Sequence, residues 1–418
     1  MSAEAANARA CLITGAGIIS PLGRGLAATS AALRQANSGI AAIRAFDAEG
    51  FPVACAGEVL DAEVPRDHRR QETMAQIAMA EALVTAGLAQ AMPDLDPRRA
   101  VSFAIGKPTL DLEAIARGRD QWVASCDPLQ ALRALPELER QRRAFDPSAV
   151  LRRLATASGA GGPLYSCYTA CASGNDAIGL AKRLIERNEA DVVIAGATDA
   201  QVHPLSLLEF ELLSALSHEP AASACRPFDR ERTGFVVGEG AAVIVLEAED
   251  HARARGAAPL AQLAGYGSSL DCYGLTKCHP QGRGAALAIR GALNDAAIAP
   301  EAIDYLNAHG TGTVLNDQAE AAAIRRVWGE DVARLPVSST KAMTGHLLTA
   351  ASAVEAVITL LALRDGCIPG NLNYEHPDPE CELNVIPSPM DRRLDIAMSN
   401  GFGFGGQNSS LILRRAIH

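Results

Sequence analysis

Aromatic residues are scarce in this 418-residue sequence: Phe, Tyr and Trp make up only 4% of it. A core short of large rings must be filled by small and aliphatic side chains, and alanine and glycine are abundant. Such a composition suits closely packed helices and sheets. No stretch of about 18 uninterrupted apolar residues occurs, so no membrane span is expected. Basic residues are outnumbered, with 38 Lys and Arg against 48 Asp and Glu, a net charge of −10. That balance argues against general affinity for nucleic acid or an anionic membrane. The arginine pairs at Arg69/Arg70, Arg142/Arg143, Arg152/Arg153 and Arg325/Arg326 read as solvated faces. Ten cysteines are present, but no CxxC pair and no zinc-like spacing, so no metal is expected. A basic stretch followed by an apolar run is missing at the start, so no signal peptide is expected. The expectation is a cytoplasmic protein with reduced thiols.

What is present is a 48% hydrophobic chain, long enough for two or more domain-sized units. The opening "ACLITGAGIISPLG" predicts a short strand at Cys11–Thr14 and then a glycine turn. Its glycines lack the third member of a dinucleotide-binding loop. Residues 71–91 predict an alanine-rich helix, and 107–150 an irregular cap or insertion. A strand at Pro163–Thr169 leads to a helix at Ala172–Asn188 with apolar positions at a 3.6 period. "ADVVIAGATDA" is a buried strand, and "FVVGEGAAVIVLEAEDHARARGA" a strand and then a helix. The pattern restarts near Ala257 and ends in "DIAMSNGFGFGGQNSSLILRR", a strand, a glycine-rich turn and a strand. Alternating strands and helices in both halves predict α/β layers.

The chemistry centres on "YSCYTACASG". Cys171 stands between a strand and a helix, where the helix dipole and unpaired amides favour a thiolate and can hold an oxyanion. Cys167 lies within the strand and reads as a small packing residue. A free cysteine alone is more often structural than catalytic. Two histidines change the balance: His309 in "NAHGTGT", at a strand end, and His346 in "STKAMTGHLL", five residues beyond Lys341. That segment is too apolar to carry charge without a use for it. A thiolate with two imidazoles suits chemistry on a thioester. A metal site is the weaker reading, since no third ligand falls at helical spacing with either histidine. The closing "GFGFGG" lacks the lysine and following Ser/Thr of a phosphate loop.

Together these segments resemble the β-ketoacyl-acyl-carrier-protein synthases, the elongating condensing enzymes of the thiolase superfamily. The resemblance rests on "TACASG", "RPFDRERTGFVVGEGAAVIVLE", "NAHGTGTVLNDQAE", "STKAMTGHLLTAASAVEA" and "SNGFGFGGQNSSLIL", in the family's order over most of the chain. It implies an α/β thiolase-like fold, two similar halves in a layered αβαβα arrangement. Residues 1–256 would carry the nucleophile and a cap insertion, and 257–418 the two histidines and the lysine. Cys171 would take the acyl chain, and His309 and His346 would serve decarboxylation and enolate stabilisation. Lys341 would organise the site, and Phe404 would gate it and lend its amide to the oxyanion hole. Thr311, Thr313, Thr276 and Phe402 would contact substrate, and Glu320 would be a buried structural acid. Arg66, Arg69 and Arg70 fall where the family docks its acidic carrier protein. No bound cofactor is implied, because phosphopantetheine arrives on the acyl carrier protein. The partner would be a second copy or a chain-length-factor-like subunit.

Three departures from the family's pattern stand out. "AIGKPTLDLEAI" replaces a glycine-rich stretch, the lead-in to Cys171 lacks its usual asparagines, and Gly401 stands where serine is common. They leave acyl preference, pathway and dimer partner open between fatty-acid and polyketide or polyene assembly. Rival readings are a subunit active only beside a chain-length factor, a thiolase, and a non-catalytic carrier-binding partner.

Overall fold

The computed structural model describes residues 9–89, 94–108 and 146–416. Most of the stretch expected as an irregular cap, residues 109–145, lies outside them. Five strands form a first set: β1 (Cys11–Ser20), β2 (Arg99–Ile105), β3 (Leu164–Cys167), β4 (Val192–Ala200) and β5 (Glu239–Ala248). A second set holds β6 (Ala261–Leu270), β7 (Tyr305–Asn307), β8 (Pro336–Ser338), β9 (Ile396–Gly403) and β10 (Gln407–Arg415). Their spatial orders are β3-β2-β4-β5-β1 and β8-β7-β9-β10-β6. Each set therefore runs third, second, fourth, fifth, first. In each, the first three strands of that order are parallel and the remaining pairings antiparallel. The sets meet where Leu12 and Ile13 of β1 pair with Gln262 and Ala261 of β6.

Among the helices of the described residues, six concern the site and its layers: α1 (Arg70–Thr85), α2 (Ser173–Glu186), α3 (Pro204–Leu212), α4 (Arg283–Asp295), α5 (Val314–Trp328) and α6 (Ala351–Asp365). The pair α2 and α6 packs together between the strand sets. Outside, α1 covers β1 and β5, and α4 covers β6 and β10 with α5 against it. The result is the αβαβα layering. Every residue of α6 from Ala351 to Leu363 is buried, which explains a helix apolar on all sides.

The glycine turn expected after Thr14 is not there; β1 continues to Ser20. Its glycines instead let α1 touch the strand. A Cβ at Gly15 would come within 2.2 Å of the Ala82 carbonyl, and one at Gly17 within 2.0 Å of that of Ala78. Two residues apart on a strand, both face the same helix. The second half repeats the device: Gly265 and Gly267 of β6 lie against the Ala292 and Ala288 carbonyls of α4, each 2.3 Å from an added Cβ. The central helices also approach closely, with Gly174 of α2 against Ala353 of α6. Gly401 has a similar cause, because a Cβ there would lie 2.7 Å from the Ser352 Cβ.

Candidate active site

Cys171 sits on a short elbow between β3 and α2. Ala170 before it adopts a left-handed conformation with φ 49°. Such a conformation costs a side chain about 1–3 kcal/mol and persists only where neighbours enforce it. Here the Ser173 hydroxyl accepts from the Thr169 amide at 2.8 Å and donates to the Ala170 carbonyl at 2.5 Å. The elbow leaves Cys171 partly exposed to a pocket. Cys167 packs beside Ser102, 3.8 Å from its hydroxyl, and does not line that pocket.

The helix end does not by itself hold Cys171 as a thiolate, contrary to the expectation from its position. Burial pushes the thiol up to about 12, and the nearby Lys341 ammonium only partly pulls it back. Loss of hydration outweighs the dipole at this depth. The resting group is a thiol, and its proton must leave during reaction.

Residues far apart in sequence converge on that sulfur. The Nε2 of His346 lies 3.1 Å from the Cys171 Sγ. The rings of His309 and His346 meet edge-on with centroids 5.3 Å apart. Lys341 is fully buried and ion-paired with Glu355. Its ammonium donates to the His309 carbonyl at 2.5 Å and lies 3.4 Å from His309 Nδ1. An ammonium has no acceptor to offer, so Nδ1 is the accepting nitrogen and Nε2 carries the hydrogen. The Nδ1 of His346 is buried without a partner among the described residues. An unpaired donor is the costlier of the two states, so its hydrogen also belongs on Nε2. Burial and the Lys341 charge hold both imidazoles well below the usual histidine range. The site thus presents two neutral N–H donors beside one thiol.

Glu320 fixes the turn that carries His309. Its carboxylate accepts from the His309 amide (2.9 Å), the Gly310 amide (2.7 Å) and the Asn400 side chain (3.1 Å). Asp317 accepts from the Thr311 amide at 3.0 Å, and the Thr311 and Thr313 hydroxyls lie 2.9 Å apart. A cavity of about 330 Å³ joins these groups. Cys171, His309 and His346 lie within it, with Thr276, Thr311, Thr313, Phe402 and Phe404 in its wall. Phe402 leans on the His309 ring at 5.7 Å, and Phe404 is 39% exposed. Gly403 between them is tight against the elbow: a Cβ there would lie 2.8 Å from the Cys171 amide nitrogen. Gly403→Ala should therefore displace that amide, and with it the oxyanion donor expected from the sequence, lowering kcat on the order of 100-fold. Steady-state kinetics check this, and an unchanged kcat would mean the amide is not used.

The three arginines separate. Arg70 is not available for docking: it is largely buried, ion-paired with Glu239, and donates to the Val59 and Pro65 carbonyls at 2.7 and 3.0 Å. It fastens the segment before α1 to β5. Arg66 pairs with the buried Glu58 and Arg69 with Asp67, and both keep substantial exposure.

Two further groups escaped the sequence reading. Glu355 is the counter-ion of Lys341, with its carboxyl pushed up to about 7 by burial. The signal was a lone acid in the apolar run "ASAVEAVITLLAL". Phe235 places its ring edge-on to His346 at 5.1 Å; its segment reads as a strand and a family motif, with no residue in it assigned to the site.

With that geometry in view, the comparisons with known proteins point one way. Residues 8–252 match the model for the beta-ketoacyl synthase N-terminal domain, and 260–375 that for its C-terminal domain. A 3-oxoacyl-[acyl-carrier-protein] synthase 2 of Coxiella burnetii is 38% identical, covering 98% of this chain and 99% of its own. The tetracenomycin polyketide synthase ketoacyl synthase alpha subunit of Streptomyces glaucescens is 37% identical over 97% and 96%. Among solved structures, the ishigamide ketosynthase/chain length factor matches with TM-score 0.86 and 34% identity, over 98% of this chain and 100% of that one. A type II polyketide ketosynthase bound to its acyl-carrier protein matches with TM-score 0.86, 32% identity and the same coverage. The chain belongs to the β-ketoacyl synthase family.

Proposed function

We propose that this chain condenses an acyl group held on Cys171 with malonyl-acyl carrier protein, releasing CO2 and giving a 3-ketoacyl carrier thioester. One observation carries the reading: a thiol 3.1 Å from one neutral imidazole, with a second neutral imidazole in the same cavity. In the first stage the Cys171 sulfur attacks the acyl thioester, and the carrier thiol leaves with a proton. The oxyanion is held by the amides of Cys171 and Phe404. In the second stage the malonyl carboxylate leaves as CO2 and its bonding electrons form an enolate. The Nε2–H groups of His309 and His346 donate to the enolate oxygen. Its carbon attacks the acyl-Cys171 carbonyl, the C–S bond breaks, and the thiolate takes up a proton.

The phosphopantetheine arm is supplied on the carrier and runs past Thr276, Thr311 and Thr313. Arg66 and Arg69 form the docking patch, which would reconcile an acidic enzyme with an acidic carrier through a local field. The chain works in the cytoplasm; no helix among the described residues is long and apolar enough to cross a membrane. It functions as a dimer through β3, which among the described residues pairs on one side only and exposes Leu164 and Tyr165. That open edge also supports a reading in which a chain-length-factor-like subunit completes the active enzyme. Reversing charge at Arg66 and Arg69 is expected to raise KM for the carrier substrate with little change in kcat. A kcat-only effect would place docking elsewhere. The reaction itself is tested by incubating the chain with acyl and malonyl carriers: a carrier product two carbons longer supports it, and CO2 release without chain extension counts against it.

A further inference from the structure

We propose that Asp199 is a positioning residue for the Cys171–His346 pair, holding the turn behind His346. Asp199 is the last residue but one of β4 and is only 2% exposed. Its Oδ2 accepts from the Thr349 amide at 3.0 Å. Its Oδ1 accepts from the Ala200 amide and the Gln201 side chain, each at 2.9 Å. Thr349 follows His346 by three residues, in a turn where Leu348 is forced to φ 50°. The first half of the chain thus reaches across and fixes the backbone that carries the histidine of the second half.

The residue type is specific. Three donors converge on both oxygens, and only a carboxylate offers acceptors at both ends. An asparagine would turn an NH2 toward one of those donors. Room for the carboxylate comes from Gly106 at the end of β2, where a Cβ would lie 2.1 Å from Asp199 Oδ1.

No cation neutralises Asp199 by direct contact among the described residues. Lys107 is the cation whose field it feels, and that ammonium is paired with Glu209 of α3. The other ionisable groups facing it are Tyr168 and Cys171 on the elbow. Burial lifts the Asp199 carboxyl to about 6, so it remains charged at neutral pH. A negative charge near sulfur disfavours the thiolate. The Asp199 charge is one of those that disfavour the Cys171 thiolate, after burial itself.

The test follows the rate of Cys171 alkylation by iodoacetamide against pH, read by intact mass. This measurement needs no carrier substrate, so its failure would leave the condensation reading standing. Asp199→Asn should move the alkylation profile about one pH unit lower, which is about tenfold faster reaction at a fixed pH below the midpoint. It should also lower condensation kcat through the loosened turn. A profile unchanged in folded Asp199→Asn would overturn the proposal. Should that variant fail to fold, Gln201→Met, which removes one of the three donors to Asp199, decides: a lowered condensation kcat with a displaced alkylation profile supports the proposal, and no change in either overturns it.

Discussion

Cys171→Ala is expected to abolish condensation, with a loss in kcat on the order of 10⁴-fold or more. The reason is covalent rather than electrostatic: among the described residues no other thiol is held against a neutral imidazole, and without sulfur the acyl group has no resting place. The fold should survive, because the side chain is small and its neighbours are held by other bonds. The Ser173 hydroxyl still braces the elbow, and Lys341 keeps Glu355. The check is the rate of 3-ketoacyl carrier formation beside a melting curve. Full elongation by a folded Cys171→Ala protein would overturn the mechanism.

The next largest effects belong to the two histidines, and the structure predicts that they differ. His309→Ala should lower malonyl decarboxylation about 10²–10⁴-fold while leaving acyl loading nearly intact. His346→Ala should impair both stages, because its ring touches the Cys171 sulfur, at 3.1 Å. Comparing CO2 release with the rate of acyl loading separates the two. Equal losses in both stages for His309→Ala would contradict its assignment to the enolate. The pH dependence has a definite sign. Burial and Lys341 stabilise the neutral imidazoles, so their protonation is pushed well below the usual midpoint of about 6.5. Decarboxylation should therefore show no loss from histidine protonation as pH falls from 8 to 6.5.

Much of this site was legible because each motif sits at an element boundary, where sequence speaks plainly. Cys171, His309 and Lys341 with His346 lie in small-residue turns flanked by clear strands or helices, and the structure brings them together. The α/β layers were legible from alternation, and their αβαβα arrangement in two halves from the family resemblance. What could not be read was depth. The expectation of a resting thiolate used the helix end, which is local, and missed burial, which is not. Arg70 looked identical to Arg66 and Arg69 in sequence, and only the tertiary contact with Glu239 distinguishes it. The glycines of β1 suggested a turn because their partner, the backbone of α1, is some 60 residues away along the chain. Asp199 carried no signal either, since its role depends on Thr349, 150 positions further on.

The central claim is that acyl chains rest on Cys171. Intact-protein mass after incubation with a panel of acyl carrier thioesters, wild type beside Cys171→Ala, tests it most directly. The account predicts a mass gain equal to one acyl group in the wild type and none in the variant, and the chains that load identify the primer. Equal labelling of both proteins, or no labelling of the wild type by any chain even beside a chain-length-factor subunit, would contradict it.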